Sequence, residues 1–145
     1  MAFRFSLAAV LRYRESLERR EELALQAILA DMGRTVRQIE RLTVELARAN
    51  QALTKATAEP LPASQVQSMF RETESIAAQR KALIDSLAQL ERRRRAQIAI
   101  YQAAHRNRQM LSDMASRQRE EYDAEVVRRH QRSIDEIFAA RAQRE

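Results

Sequence analysis

The stretch Ala58-Glu59-Pro60-Leu61-Pro62-Ala63-Ser64 holds both prolines of this 145-residue chain. Proline lacks a backbone donor and its ring clashes with the preceding turn, at a cost of about 3 kcal/mol in a helix interior. Two prolines one residue apart therefore stop any helix that reaches them. Ser64, with Gln67 three positions on, reads as a capping box that opens a new helix. The stretch predicts a reversal between two helices.

Almost nothing else in the chain stops a helix. There is one glycine, and charged residues make up 32% of the sequence. A compact globule needs many turns and draws on far more glycine and proline than this. The expectation is an all-α chain with a single domain over residues 1–145: a helix over about 7–57, a turn over about 58–63, and a helix over about 64–140. Ser6 is read as the N-cap of the first helix, with the aromatics before it as a hydrophobic staple or an anchor for a partner.

Apolar periodicity supports this layout. Ile28, Met32, Thr35, Ile39, Leu42, Leu46, Ala49 and Leu53 alternate steps of four and three, the seam of a left-handed coiled coil. The second helix carries Val66, Met69, Thr73, Ile76, Arg80, Leu83, Leu87, Leu90 and Arg94. After a one-residue shift it continues with Ile98, Tyr101, His105, Arg108, Leu111 and Ala115, then Tyr122 and Val126. A reversal at Leu61 sets residue i against residue 122 − i, pairing Leu53 with Met69, Leu46 with Ile76, Ile39 with Leu83, and Met32 with Leu90. Apolar meets apolar each time. The predicted fold is a long two-helix antiparallel coiled-coil hairpin with a longer C-terminal helix. Leu7 then faces Ala115, leaving about 30 C-terminal residues without an intrachain partner. Among them Tyr122, Val126, Ile134, Ile137 and Phe138 still require burial, which marks that end as a binding surface.

The residue types exclude most chemistry. One glycine cannot build a phosphate loop. Cysteine is absent, and His105 and His130 have no acidic or cysteine cluster at ligand spacing, so both read as surface or seam residues. A two-helix hairpin has no deep pocket. No catalytic, metal or cofactor site is expected, and the chain is read as a non-enzyme. The net charge of +6 concentrates between Arg80 and Arg108. Consecutive helical residues point about 100° apart, so Arg92-Arg93-Arg94-Arg95 makes no compact nucleic-acid patch, and carboxylates of a partner protein suit it better. Gly33 reads as a tolerated surface glycine; Met69, Met110 and Met114 read as seam or near-tip packing. Phe70, one position off the seam, is the candidate for exposed apolar surface near the tip. No stretch has the length of a membrane span or a signal peptide, giving a cytoplasmic expectation.

Both ends carry a resemblance. Phe-Arg-Phe-Ser-Leu-Ala-Ala-Val-Leu-Arg-Tyr-Arg-Glu-Ser-Leu-Glu at residues 3–18 resembles the opening of the FliJ family, a component of flagellar protein export. Arg-Gln-Arg-Glu-Glu-Tyr-Asp-Ala-Glu and Arg-Arg-His-Gln-Arg-Ser-Ile-Asp-Glu-Ile, within residues 117–137, are similar to that family's C-terminal region. The resemblance spans the whole chain. It implies a cytoplasmic, stalk-like coiled coil of the flagellar type III export apparatus. Its implied partners are the hexameric export ATPase, a membrane export gate protein and export chaperones. It also implies that the joined chain ends enter the ATPase ring: Phe3, Phe5, Leu7, Val10, Leu11, Tyr13 and Arg14 with Tyr122, Val126, Arg129, Arg132, Asp135 and Glu136. Phe70 is a weaker partner-binding candidate at the tip. The alternatives are a generic structural or adaptor coiled coil that oligomerises through its unpaired C-terminal helix, and the equivalent stalk protein of an injectisome.

Overall fold

A computed structural model describes residues 2–143. The chain is all-helical: α1 spans Ala8–Ala58 and α2 spans Ala63–Ala142, and the two long helices pack against each other. The chain divides into two compact units, Glu22–Ile100 and Met1–Glu21 with Tyr101–Glu145.

The Glu22–Ile100 unit contains the reversal. Pro60 biases the residue before it away from helical dihedrals, and α1 ends at Ala58. The Thr57 hydroxyl donates back to the Thr54 carbonyl at 2.8 Å in this last turn. The α2 start departs from the capping-box expectation. Helix begins at Ala63, and the Pro62 carbonyl accepts from the amides of Gln65 and Val66 at 3.0 and 3.3 Å. Proline serves here because its fixed φ already suits a helix entry and its missing N–H is not needed there.

Every seam position named for this unit is covered. Ile28, Met32, Ile39, Leu42, Leu46, Ala49 and Leu53 are half-buried and Thr35 is buried; so are Val66, Met69, Thr73, Ile76, Arg80, Leu83, Leu87, Leu90, Arg94 and Ile98 half-buried on α2. Ala56 extends the seam to the last turn of α1 and is buried, at 6% exposure. Ala49 and Ala52 share a groove with Met69, Thr73 and Ile76, and Arg80 reaches Thr43. Arg80 lies opposite Thr43, within one residue of the position the 122 − i rule gives. Half-burial is the rule because each side chain meets one partner helix only.

Charge on the seam is handled locally. The Arg80 Nε donates to the Thr43 hydroxyl at 2.9 Å, and that hydroxyl donates to the Ile39 carbonyl at 2.7 Å. The stem of Arg80 thus lies along the seam while its head finds a partner at the edge. Arg94 donates through Nε and Nη2 to both carboxylate oxygens of Glu91, at 2.8 and 2.6 Å. Thr35 satisfies its own hydroxyl on the Asp31 carbonyl at 2.9 Å.

Gly33 is half-buried and helical, without a positive φ. A Cβ built there would meet only the Arg37 Nη1 atom, at an ordinary 3.6 Å. Gly33→Ala should therefore stabilise the protein by about 1 kcal/mol, the difference in helix propensity. A rise in the thermal midpoint followed by circular dichroism is the expected result; a fall would mean that another helix needs the close approach.

In the second unit α1 opens one residue later than the Ser6 cap predicts. Residues 6–7 form a turn, with the Ala8 amide donating to the Phe5 carbonyl at 3.2 Å. The Leu7 carbonyl accepts the first helical bond, from the Leu11 amide at 2.9 Å, so Leu7 and not Ser6 occupies the capping position. Leu11, Arg14, Leu17 and Glu18 on α1 are half-buried, as are Tyr101, Ala104, Arg108, Leu111, Ala115, Tyr122 and Val126 on α2. Of the two readings of His105, surface or seam, the structure shows the surface one, and Ala104 takes the covered position. Met110 and Met114 are likewise exposed, because Leu111 and Ala115 turn inward in their place. Among the described residues, no helix is long and apolar enough to cross a membrane.

Candidate functional site

The unit formed by Met1–Glu21 and Tyr101–Glu145 holds all the partner-binding candidates except Phe70. Its lead-in does not hang free. The Phe3 ring lies 5.6 Å from the Tyr122 ring, tilted by 49°, a favourable tilted aromatic pair. Phe5 is half-buried as well. The lead-in reaches α2 at Tyr122, beyond the Ala115 limit that helix pairing alone predicts, and Val126 one turn on is half-buried. Tyr122 and Val126 therefore lose their status as uncovered residues. The correction has a simple cause: residues outside a helix can still pack on one.

From Val127 to Gln143 every described residue is exposed. This segment, rather than the last 30 residues, is the uncovered one. It carries Val127, Ile134, Ile137 and Phe138 at 67%, 46%, 52% and 65% exposure, four large apolar side chains within one short stretch. Three arginines converge on one carboxylate beside them. Glu125 accepts from Arg129 Nε at 3.3 Å and lies 3.8 Å from Arg128 Nη1 and 3.7 Å from Arg132 Nη2. The cluster keeps an excess of positive charge facing solvent. Asp135 accepts from Gln131 Nε2 at 3.1 Å, and Glu136 is exposed.

The remaining sequence candidates divide by exposure. Leu11 and Arg14 face α2, whereas Leu7, Val10 and Tyr13 are exposed at 36%, 41% and 61%. The structure thus brings Phe3 and Tyr122 together and leaves Val10, Tyr13, Arg129, Arg132, Asp135 and Glu136 on the surface. Phe70 belongs to the Glu22–Ile100 unit and is exposed there, in a shallow groove with Val66 and Gln67.

One polar cluster was not singled out in the sequence. Glu18 receives Arg108 Nε on Oε2 at 2.6 Å and Arg108 Nη2 on Oε1 at 3.3 Å. His105 Nδ1 also lies 2.9 Å from Oε1, and 3.3 Å from Arg108 Nη2. Arginine only donates, so Nδ1 could accept from Arg108 or donate to Glu18, but not both. The guanidinium already reaches Glu18 directly, which leaves Nδ1–H donation to the carboxylate as the arrangement that satisfies all three groups. Tyr101 supports the imidazole, with ring centroids 6.1 Å apart. The Arg108 hydrogen bonds hold the Glu18 carboxyl below its ordinary value; partial desolvation opposes them and the His105 contact adds to them. The same pairing raises Arg108. A signal for this cluster exists in the sequence: 122 − i places Glu18 opposite residue 104, next to the only histidine on that stretch of helix.

Among the described residues, no group of three or more His, Cys, Asp or Glu side chains is placed to hold a metal ion. The grooves are shallow and open. What the geometry offers is surface: an aromatic clasp at the lead-in, an ion-paired lock between the helices, and an exposed basic and apolar helix beyond them. Comparison with known proteins returned no matching family model, no curated protein of similar sequence and no solved structure of similar fold.

Proposed function

We propose that the chain is an antiparallel coiled-coil hairpin acting as the central-stalk component of a flagellar type III export apparatus, of the FliJ kind. The exposed helix Val127–Gln143, carrying Val127, Ile134 and Phe138 beside an arginine cluster, is the observation that carries the reading. A helix with this much uncovered apolar surface is built to be covered by something else. Supporting it are the covered seam with its alternating steps and the likeness of residues 3–18 and 117–137 to the family's two ends.

In this reading the hexameric export ATPase receives the end made by the lead-in and the C-terminal helix, with no catalytic group supplied by the stalk. A single asymmetric stalk breaks the symmetry of the ring and promotes its assembly. The Glu22–Ile100 unit, with Phe70 exposed on it, is left to meet the membrane export gate and the export chaperones at the cytoplasmic face. Mixing the purified protein with the export ATPase tests this directly. Faster ATP hydrolysis and more hexamer by light scattering are expected. Unchanged rates, unchanged assembly and no co-purification would sink the stalk reading.

A further inference from the structure

The exposed helix has a pattern of its own. Val127, Gln131, Ile134, Phe138 and Arg141 follow steps of four, three, four and three, a seam rotated from the one that α1 covers. Val127, Ile134 and Phe138 are all exposed, and nothing among the described residues packs on them. Charge along the same segment is split by sequence. Arg128, Arg129 and Arg132 occupy its first half, whereas Asp135 and Glu136 follow.

We infer that a second copy of this chain covers this face, with the two helices antiparallel and related by a two-fold axis between residues 132 and 133. In that register Val127 meets Phe138 of the other copy and Gln131 meets Ile134, each twice. The flanking positions fall into place with them: Arg128 of each copy faces Asp135 of the other, giving two symmetric ion pairs. A parallel pairing offers no such contact, because it sets positions 128 and 135 of the two copies on opposite flanks of the seam. A patch that is complementary to itself under a two-fold is what an isologous dimer requires. Gln131, which already steers Asp135 through its 3.1 Å bond, holds that carboxylate on the flank where the arginine of the other copy arrives.

The matched stretch is only about three turns long, roughly 16 Å, far short of a standard-sized interface. Association is therefore weak, and the dimer forms at high micromolar rather than nanomolar protein concentration. This inference goes beyond the stalk reading and does not need it: the dimer is measured without any ATPase, so either can fail while the other stands. Where both hold, the second copy and the ATPase compete for one face.

Sedimentation velocity of the full chain over a concentration series is the test. The wild-type mass is expected to rise from 16.8 kDa toward twice that value. Arg128→Glu and Asp135→Arg, each at an exposed position, should hold the chain at the monomer mass with unchanged helicity. The double variant Arg128→Glu, Asp135→Arg should restore the dimer, because the swapped charges face each other again. The chain contains no cysteine, which permits a second readout. Oxidising a mixture of Gln131→Cys and Ile134→Cys chains should give mainly the mixed disulfide; predominant like-with-like disulfides would mean a parallel pairing and overturn the inference. A monomer at every concentration, a larger oligomer, or a double variant that stays monomeric would each overturn it as well.

Discussion

A chain ending at Val126 should leave the export ATPase at its unstimulated rate while keeping its own fold. The cut removes the exposed residues Val127–Gln143 and, among the described contacts, only helix-local ones such as those of Arg128, Arg129 and Arg132 to Glu125. The Phe3–Tyr122 ring pair, the Glu18 cluster and the seam of the Glu22–Ile100 unit all survive it. The melting midpoint should therefore stay at the wild-type value, with helical signal reduced only in proportion to the residues removed. A cut after Ala115 is a poorer test, because it also strips Tyr122 from Phe3 and so disturbs the lead-in. Stimulation that persists in the Val126 chain would mean that the engaged surface lies elsewhere, and the exposed Val10 and Tyr13 would be next to examine. If stimulation is lost at Val126, Arg129→Glu and Arg132→Glu separate the charge from the apolar stripe within the same segment.

That clean cut point could not be read from periodicity. Heptad spacing reports which residues of a helix share a face, so Ile39, Leu46, Ile76 and Leu83 were legible as seam, and Pro60 with Pro62 as the break between helices. Periodicity is silent about segments that are not helical. The lead-in before Ala8 has no period, yet its Phe3 ring packs on Tyr122 of α2. Helix starts failed for a related reason. Ser6 and Ser64 both have the right side chain for a cap, but the first helical bonds are set by where the backbone can turn, and that fell at Leu7 and at Pro62. The small shift that exposes His105, Met110 and Met114 reflects the register change after Arg94, where a strict seven-residue repeat gives way and neighbouring residues compete for the seam. The Glu18 cluster escaped because ion pairing between helices depends on which polar side chains lie across the seam. Hydrophobic spacing only weakly constrains that.

Glu18→Gln should make the protein less stable at neutral pH and remove part of its sensitivity to acid. The sign follows from the direction of the shift. Arg108 holds the folded-state carboxyl of Glu18 below the ordinary value of 4.5, so folding favours the charged form. That contribution is fully present above the unfolded value, at pH 5 and higher, and is lost as the pH falls through the depressed folded value. Glutamine keeps the shape and one acceptor but carries no charge at any pH. The variant's melting temperature at pH 7 should accordingly fall below that of the wild type, and the gap should close as the pH approaches 2. A gap that stays constant from pH 7 to pH 2 would assign the loss to packing instead. Glu91 supplies the control. Arg94, mainly through its hydrogen bonds, holds the Glu91 carboxyl low in the same way, but both residues lie on α2, three positions apart. Glu91→Gln should show the same sign of pH dependence without loosening α1 from α2. Hydrogen exchange distinguishes the two cases: faster exchange over residues 8–21 is expected for Glu18→Gln alone, because Glu18, unlike Glu91, ties one helix to the other. Equal exchange in both variants would show that the ion pair adds local helix stability and nothing between helices. Since the lead-in and the exposed helix belong to this same unit, faster exchange at residues 8–21 should also weaken ATPase stimulation in acid before the Glu22–Ile100 unit melts.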